Sequence, residues 1–228
     1  MSKDISIIIP VLNETEIINK CLMHLTEIIS SARCEIIVVD GSPAGNTIQS
    51  ITVSHIKKII SLPGRGIQMN AGARCATGKI LLFLHADTLL PVKSIQHILW
   101  AVNHPGVAAG AFDLGIDSDK PIFRITEKYV FLRSRITRIP YGDQAIFLKE
   151  KVFVALGGYR EIPIMEDIDL MQRLKQAGYK IKFISEPVRT SPRRYEIEGI
   201  LFGTVRNILL SAMFYLGVCP ATLKRFYK

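Results

Sequence analysis

Ile80-Leu81-Leu82-Phe83-Leu84 runs apolar without alternation and then stops on His85-Ala86-Asp87-Thr88. An unbroken run of this length predicts a short strand buried on both faces, which requires a sheet covered by helices on each side. Gly78 before the run and Pro91 after it leave little room for a buried helix. Polar groups at the carboxyl end of a central strand lie where open α/β sheets bind ligands. A carboxylate there can hold a hard divalent cation that also bridges phosphate oxygens. Taken alone, Asp87 can equally begin a turn with Thr88.

The flanking chain builds the sheet this run requires. Residues 5–9 are a β-branched strand closed by Pro10. Asn13 and Glu16 have the spacing of a capping box ahead of a helix with Ile17, Ile18, Cys21, Leu22, Leu25, Ile28 and Ile29 on one face. Residues 35–39 form a second strand ending on Asp40-Gly41-Ser42. A short helix at 47–53 and a third strand at 56–60 follow. Gly64-Arg65-Gly66 opens a helix with Ile67, Ala71 and Cys75 on one face, ended by Gly78. This alternation predicts an α/β fold, a Rossmann-like and mostly parallel central sheet flanked by helices with right-handed crossovers.

Beyond Pro91 the pattern predicts a helix to about residue 102 and a strand at 106–114. Residues 121–140 are mixed and carry Arg133, Arg135 and Arg138. Residues 145–148 are short and apolar. Helices are expected at 152–156, stopped by Gly157-Gly158, and at 164–177, and a last strand at 181–184. No repeat or low-complexity linker appears, so residues 1–228 read as one domain. Its parts are a first half at 1–115, a second at 116–198 and a helical C-terminal extension at 199–228.

That extension is strongly apolar, but Arg206 and Asn207 interrupt it, and the unbroken part at 208–219 is too short to cross a bilayer. A core helix, a homodimer helix or a helix lying on a membrane fits it. The formal net charge of +9 and the basic residues Lys224, Arg225 and Lys228 suit peripheral contact with an anionic surface. Zinc-finger spacing, a basic helix and an RNA-binding aromatic signature are all missing, so nucleic acid is not an expected partner. Cys21, Cys34, Cys75 and Cys219 form no C-x-x-C and read as small core residues in a reducing compartment. Met1-Ser2-Lys3-Asp4 leads into a strand without a secretory signal. The expected location is cytoplasmic, with peripheral contact at the inner face of the membrane.

Acidic residues gather at element ends. Glu14 follows strand one, Asp40 ends strand two and Asp87 follows strand four; in a doubly wound sheet these ends converge on one crevice. A structural explanation exists for each: Glu14 at a helix start, Asp40-Gly41 in a turn. A fourth group, Glu166-Asp167-Ile168-Asp169, follows Gly157-Gly158-Tyr159 and can supply a base for a hydroxyl. Neither a dinucleotide glycine fingerprint nor a Walker phosphate loop is present.

Ser6 through Glu14 and Glu35 through Ser42 resemble the opening of family 2 glycosyltransferases. Arg65, Asn70-Ala71-Gly72-Ala73 and Ala76-Thr77-Gly78 continue the likeness. His85-Ala86-Asp87 stands where that family has D-x-D, and Glu166-Asp167-Ile168-Asp169-Leu170 matches its E-D-x-D-L. With Gly142-Asp143-Gln144 and the segment Ser191 through Glu196, the set is similar to a bacterial subgroup, some members of which are associated with arsenosugar biosynthesis.

The resemblance implies a GT-A fold, a nucleotide-sugar donor (UDP-linked by expectation), an acceptor hydroxyl, a divalent cation (Mn²⁺ or Mg²⁺) and inversion at the sugar. It implies Asp167 as general base and Asp87 as metal ligand. Pro10, Leu12, Glu14, Asp40, Arg65, Asn70, Ala86 and Asp87 would surround the donor, with Glu14 and Asp40 on the nucleoside. Arg193, Arg194 and Glu166 would face phosphate or acceptor. His85 in place of the first D leaves one carboxylate for the metal. Two rival functions share the fold: a sugar nucleotidylyltransferase, whose lysine-bearing phosphate loop is missing here, and a nucleotide-binding protein that has lost turnover.

Overall fold

The structure is a computed structural model that describes residues 3–29 and 33–227; Met1, Ser2 and Lys228, used in the sequence reading, lie outside them. In chain order the elements are β1 (Ile5–Val11), α1 (Ile18–Ile28), β2 (Cys34–Asp40), α2 (Asn46–Gln49), β3 (Lys57–Ile60), α3 (Arg65–Cys75), β4 (Ile80–Phe83), β5 (Thr88–Leu89), α4 (Ser94–Val102), β6 (Val107–Ile116) and α5 (Pro121–Thr137). A 3-10 turn at Gly142–Gln144 precedes β7 (Phe147–Lys149), α6 (Glu150–Ala155), α7 (Glu166–Gln176) and β8 (Lys180–Thr190). The chain then forms α8 (Arg193–Glu198), α9 (Ile200–Tyr215) and α10 (Pro220–Lys224).

All eight strands among the described residues join one sheet in the order β3-β2-β1-β4-β7-β6-β8-β5. The pairs β1–β2, β1–β4, β2–β3 and β6–β8 are parallel. β7 is antiparallel to both β4 and β6, and β5 to β8. The expected mostly parallel sheet flanked by helices is present, with antiparallel pairing confined to its second half.

Burial explains the unpatterned apolar runs. Ile5, Ile7 and Ile9 of β1 pack with Ile18, Leu22 and Leu25 of α1 on one face. Ile8 joins Ile37, Val39, Met69 and Leu174 on the other. Each such side chain contributes about 1.5–3 kcal/mol by leaving water. The α3 helix lies so close to β1 that a Cβ at Gly72 would come within 2.5 Å of Ile8 Cγ2. Its buried face is Gln68, Met69, Ala71 and Gly72, with Ile67 and Cys75 only half-buried. That corrects the face expected from the apolar residues: Gly66 and Gly72 let the helix approach closely, and Gln68 and Met69 turn inward beside Ala71 in place of Ile67 and Cys75.

Other expectations change too. Asn13 and Glu16 do not cap α1. Its first residue is Ile18, no side chain bonds its N-terminus, and Asn13 sits in the left-handed region at φ 58°. The mixed 121–140 stretch is a single 17-residue helix, begun by Pro121 at its first turn. Its Ile125, Leu132 and Ile136 are exposed, which is why it shows no clean apolar stripe. The last strand is longer than expected, because β8 continues beside β6 past a register shift. Cys21 and Cys34 are core residues, but Cys75 is half-buried and Cys219 exposed.

No helix of the described residues is long and apolar enough to cross a membrane. The α9 helix packs one face, through Leu210, near Ile164 and Leu223, and leaves Leu201, Phe202, Val205 and Leu209 in solvent.

Candidate active site

β1 pairs with β2 on one side and β4 on the other, so the chain switches direction across the sheet between β1 and β4. The residues after those strands meet the helices that follow β7 and β8. Between them lies a cavity of about 640 Å³ lined by Glu14, Arg65, His85, Asp87, the turn Tyr141-Gly142-Asp143, the start of α7, Thr190 and Ser191, and residues of α8 and α9.

The site residues inferred from sequence divide into two groups. Glu14, Arg65, Asp87, Glu166, Asp167, Arg193 and Arg194 line the cavity. Pro10, Leu12, Asp40, Asn70 and Ala86 do not. Asp40 is fully buried. Its Oδ1 accepts from Ser42 N at 2.8 Å, and its Oδ2 from Thr47 N at 2.9 Å and Ile48 N at 3.2 Å. The carboxylate therefore fixes the loop after β2 and the start of α2. Asn70 ties α3 to Tyr159 in the same way, accepting from its N–H at 2.9 Å and donating to its carbonyl at 2.8 Å.

The α7 helix starts at Glu166 immediately after Met165, whose φ of 68° turns the chain sharply into the helix. Three acids in the first turn suit its N-terminus, but they have separate fates. Asp169 pairs with Arg160 at 3.0 Å and with Arg173 at 2.8 Å, outside the cavity lining. Glu166 is buried; desolvation first, and the Asp167 charge second, push its carboxyl up to about 7. Asp167 faces the cavity with its carboxylate oriented by two backbone donors, Gly142 N to Oδ2 at 2.6 Å and Ile168 N to Oδ1 at 2.7 Å. A side chain at 142 would crowd both groups: a Cβ there would lie 3.1 Å from His85 Nε2 and 3.3 Å from Asp167 Oδ2.

Asp87 accepts from the Thr88 hydroxyl at 3.3 Å, and its backbone carbonyl accepts from Ser191 N, which joins the β4 loop to the end of β8. Burial and the Arg65 cation hold the neighbouring His85 imidazole down at about 4, so it is neutral near pH 7. Across the mouth, Arg193 pairs with Glu14 at 3.0 Å. Arg194 bonds Glu198 at 3.3 Å and stacks on the Tyr227 ring at 4.4 Å. Arg65 bonds the Tyr227 hydroxyl and feels Glu166 and Asp167.

Among the described residues no three metal-binding side chains cluster as a cation cage. The donors present still fit a cation of another kind. A carboxylate and a neutral imidazole one residue apart suit Mn²⁺ or Mg²⁺ that takes its remaining ligands from phosphate and water.

The structure adds residues that the sequence did not single out. Tyr227, Asn207 and Ser211 line the cavity from the C-terminal segment, and nothing in their spacing marks them; Tyr195, which lines it too, lies in the noted segment Ser191 through Glu196, but no role was attached to it. Asp143 belongs to a noted motif, but no role was attached to it. Burial raises its carboxyl to about 6, against the pull of Arg133.

The fold is the GT-A fold of glycosyltransferases. Residues 6–160 match the family described as Glycosyl transferase family 2, and the chain belongs to that family. Solved structures share the fold. The mannosyltransferase PcManGT from Pyrobaculum calidifontis in complex with GDP-Man and Mn²⁺ is 19% identical, with a TM-score of 0.68 over 84% of this chain and 57% of that one. S. aureus TarS 1-349 in complex with UDP-GlcNAc is 14% identical, with a TM-score of 0.59 over 82% of this chain and 58% of that one. The chain thus spans less than two thirds of these two proteins' length. No curated protein matches it.

Proposed function

We propose that the protein transfers a sugar from a nucleoside-diphosphate donor to an acceptor hydroxyl with inversion. The observation that carries this is a single cavity holding the oriented Asp167 carboxylate in one wall and Asp87 beside His85 in another. Asp167 takes the proton of the acceptor hydroxyl while that oxygen bonds the anomeric carbon. The bond from this carbon to the diphosphate oxygen breaks on the opposite face, and the nucleoside diphosphate leaves. A divalent cation at Asp87 and His85 would offset the charge on the departing diphosphate. Arg65, Arg193 and Arg194 would share that task once the diphosphate displaces Tyr227 and Glu14 from them. Asp40 acts on the nucleoside end through the loop it holds. The Mn²⁺ of PcManGT and the nucleotide sugars of both neighbours support the reading of cation and donor.

Titration calorimetry of UDP and GDP with Mn²⁺ and with chelator tests the cation. Wild-type protein is expected to bind more tightly with Mn²⁺, and Asp87→Ala to lose the difference. Identical affinities with and without metal in the wild type refute it.

A further inference from the structure

The outer face of α5 and α9 is unlike the rest of the surface. Of the 21 large apolar side chains exposed among the described residues, 5 lie on α5 and 8 between residues 197 and 226. A monomer seldom leaves a contiguous apolar patch of more than roughly a few hundred Å² in water, and larger patches mark sites of contact. On α5, Ile125, Tyr129, Leu132 and Ile136 recur at i, i+4, i+7 and i+11, opposite the buried Phe123, Val130 and Ser134. On α9, Leu201, Val205 and Leu209 recur every fourth residue, with Phe202 beside them, opposite the buried Gly203 and Leu210. The two helices begin together, where Lys120 pairs with Glu196 at 2.8 Å and the Phe123 ring meets that of Tyr195 at 5.7 Å. They end together, where the Tyr215 hydroxyl bonds that of Tyr141, just past α5. They therefore run side by side, and both stripes point away from the core.

Charge selects what covers this face. Residues 120–138, which are α5 with its flanking Lys120 and Arg138, and residues 193–228 together hold 12 basic and 3 acidic residues. That is the whole formal net charge of +9, because the remaining residues hold 17 of each sign. The acids of the region are turned in or answered: Glu127 and Glu198 are mostly buried, and Glu196 is paired with Lys120. Arg206, the one charge on α9, reaches inward to Glu198 at 2.6 Å, so nothing charged interrupts the α9 stripe. Lys128, one turn from Leu132, and Arg225, next to exposed Phe226, remain exposed. Long basic side chains of this kind lay their stems on apolar surface and hold their heads at its edge. A second copy would set this face against itself, as two-fold pairing does, and oppose one excess of positive charge with another. A bilayer with anionic headgroups answers both features, taking the apolar stripes at its acyl boundary and the cations at its headgroups. We propose that the face formed by α5 and α9 lies on an anionic phospholipid bilayer without spanning it. The contact expected of residues 199–228 thus gains a second helix. Ile197 is 79% exposed and also lines the cavity, so the cavity opens at the edge of the docking face.

The test floats the full chain with vesicles of phosphatidylcholine alone and with vesicles that also contain phosphatidylglycerol, at low and high salt. Sedimentation without lipid reads the oligomeric state. Wild-type protein is expected to float with the phosphatidylglycerol vesicles at low salt, to be released at high salt, and to stay behind with phosphatidylcholine alone. Leu201→Gln and Leu209→Gln, both at exposed positions, should each weaken vesicle affinity about tenfold, the effect of one apolar side chain withheld from the acyl boundary. Lys128→Gln should weaken it about fivefold. Lys151→Gln, exposed on α6 against the other face of the sheet, should leave it unchanged. No flotation with phosphatidylglycerol at low salt, equal flotation with both vesicles, or equal losses from Lys128→Gln and Lys151→Gln would overturn the proposal. So would a dimer in solution that Leu209→Gln dissociates while vesicle binding is unmoved, since the face would then join two copies.

Discussion

The carboxyl ends of β1 and β2 and the wall built by α7, α8 and α9 face the same crevice, yet they treat polar groups in opposite ways. At the strand ends the fully buried polar side chains are consumed by backbone. Asp40 holds three N–H groups, and buried Gln68 donates to the carbonyls of Val11 and Val39 at 2.7 and 2.9 Å. In the helical wall, carboxyl groups are pushed toward neutrality by burial, and oxygens of Asp143 and Asn207 are left unpaired. The first region is complete as a structure, whereas the second leaves buried polar atoms without partners among the described residues. A polar residue at a strand end is therefore as much a structural clamp as a ligand contact, and its hydrogen-bond partners decide which.

The largest effect expected from this contrast is at Asp167. Asp167→Asn should lower transfer by about 10²–10⁴-fold while leaving nucleotide affinity near wild type, at a stability cost of about 1 kcal/mol for the one backbone donor that an amide nitrogen cannot satisfy. Glu166→Gln measured alongside controls for the wrong carboxylate. Wild-type turnover in Asp167→Asn would place the base elsewhere.

Asp40→Ala should do the reverse. It strands three backbone donors, so it should cost on the order of 3 kcal/mol of stability, roughly a 10 °C drop in Tm for a chain of this size. If Asp40→Ala melts like wild type but binds nucleotide poorly, the strand ends are not merely structural and the contrast fails.

The smallest effect is in pH. The Glu166 carboxyl is raised in the fold from its ordinary 4.5 to about 7. Its protonated form is thus favoured by folding, and that contribution is full below about 4.5 and lost as pH rises through 7. His85, lowered to about 4, acts oppositely and weakens the fold only as pH falls below about 6.5. Between about pH 6.5 and about pH 8, Glu166→Gln should therefore lose a few degrees less Tm than wild type. Parallel curves for the two would mean that Glu166 is not held near neutrality by this wall.

The sequence carried the first region well and the second poorly. Strand runs such as 80–84 are legible because burial on both faces needs apolar side chains at every position. Asp87 stood out because it follows the end of such a run, whereas Asp167 was told apart from Glu166 and Asp169 only by the family resemblance. The partners of Asp40 and Asn70 were not legible, since backbone donors leave no mark in side-chain identity. Nor were Asn207, Ser211 and Tyr227, which reach the cavity only because α9 and α10 fold back over it. The 121–140 helix stayed hidden for a related reason, as its exposed apolar residues blur the period.

Gly142 has a consequence for how two side chains keep their distance. It lies against both the His85 ring and the Asp167 carboxylate, where an added Cβ would stand 3.1 Å from one and 3.3 Å from the other. The spacing between imidazole and carboxylate is thus gauged by a bare stretch of main chain. A main-chain spacer has no rotamers, so the two groups hold their separation while the side chains around them turn over.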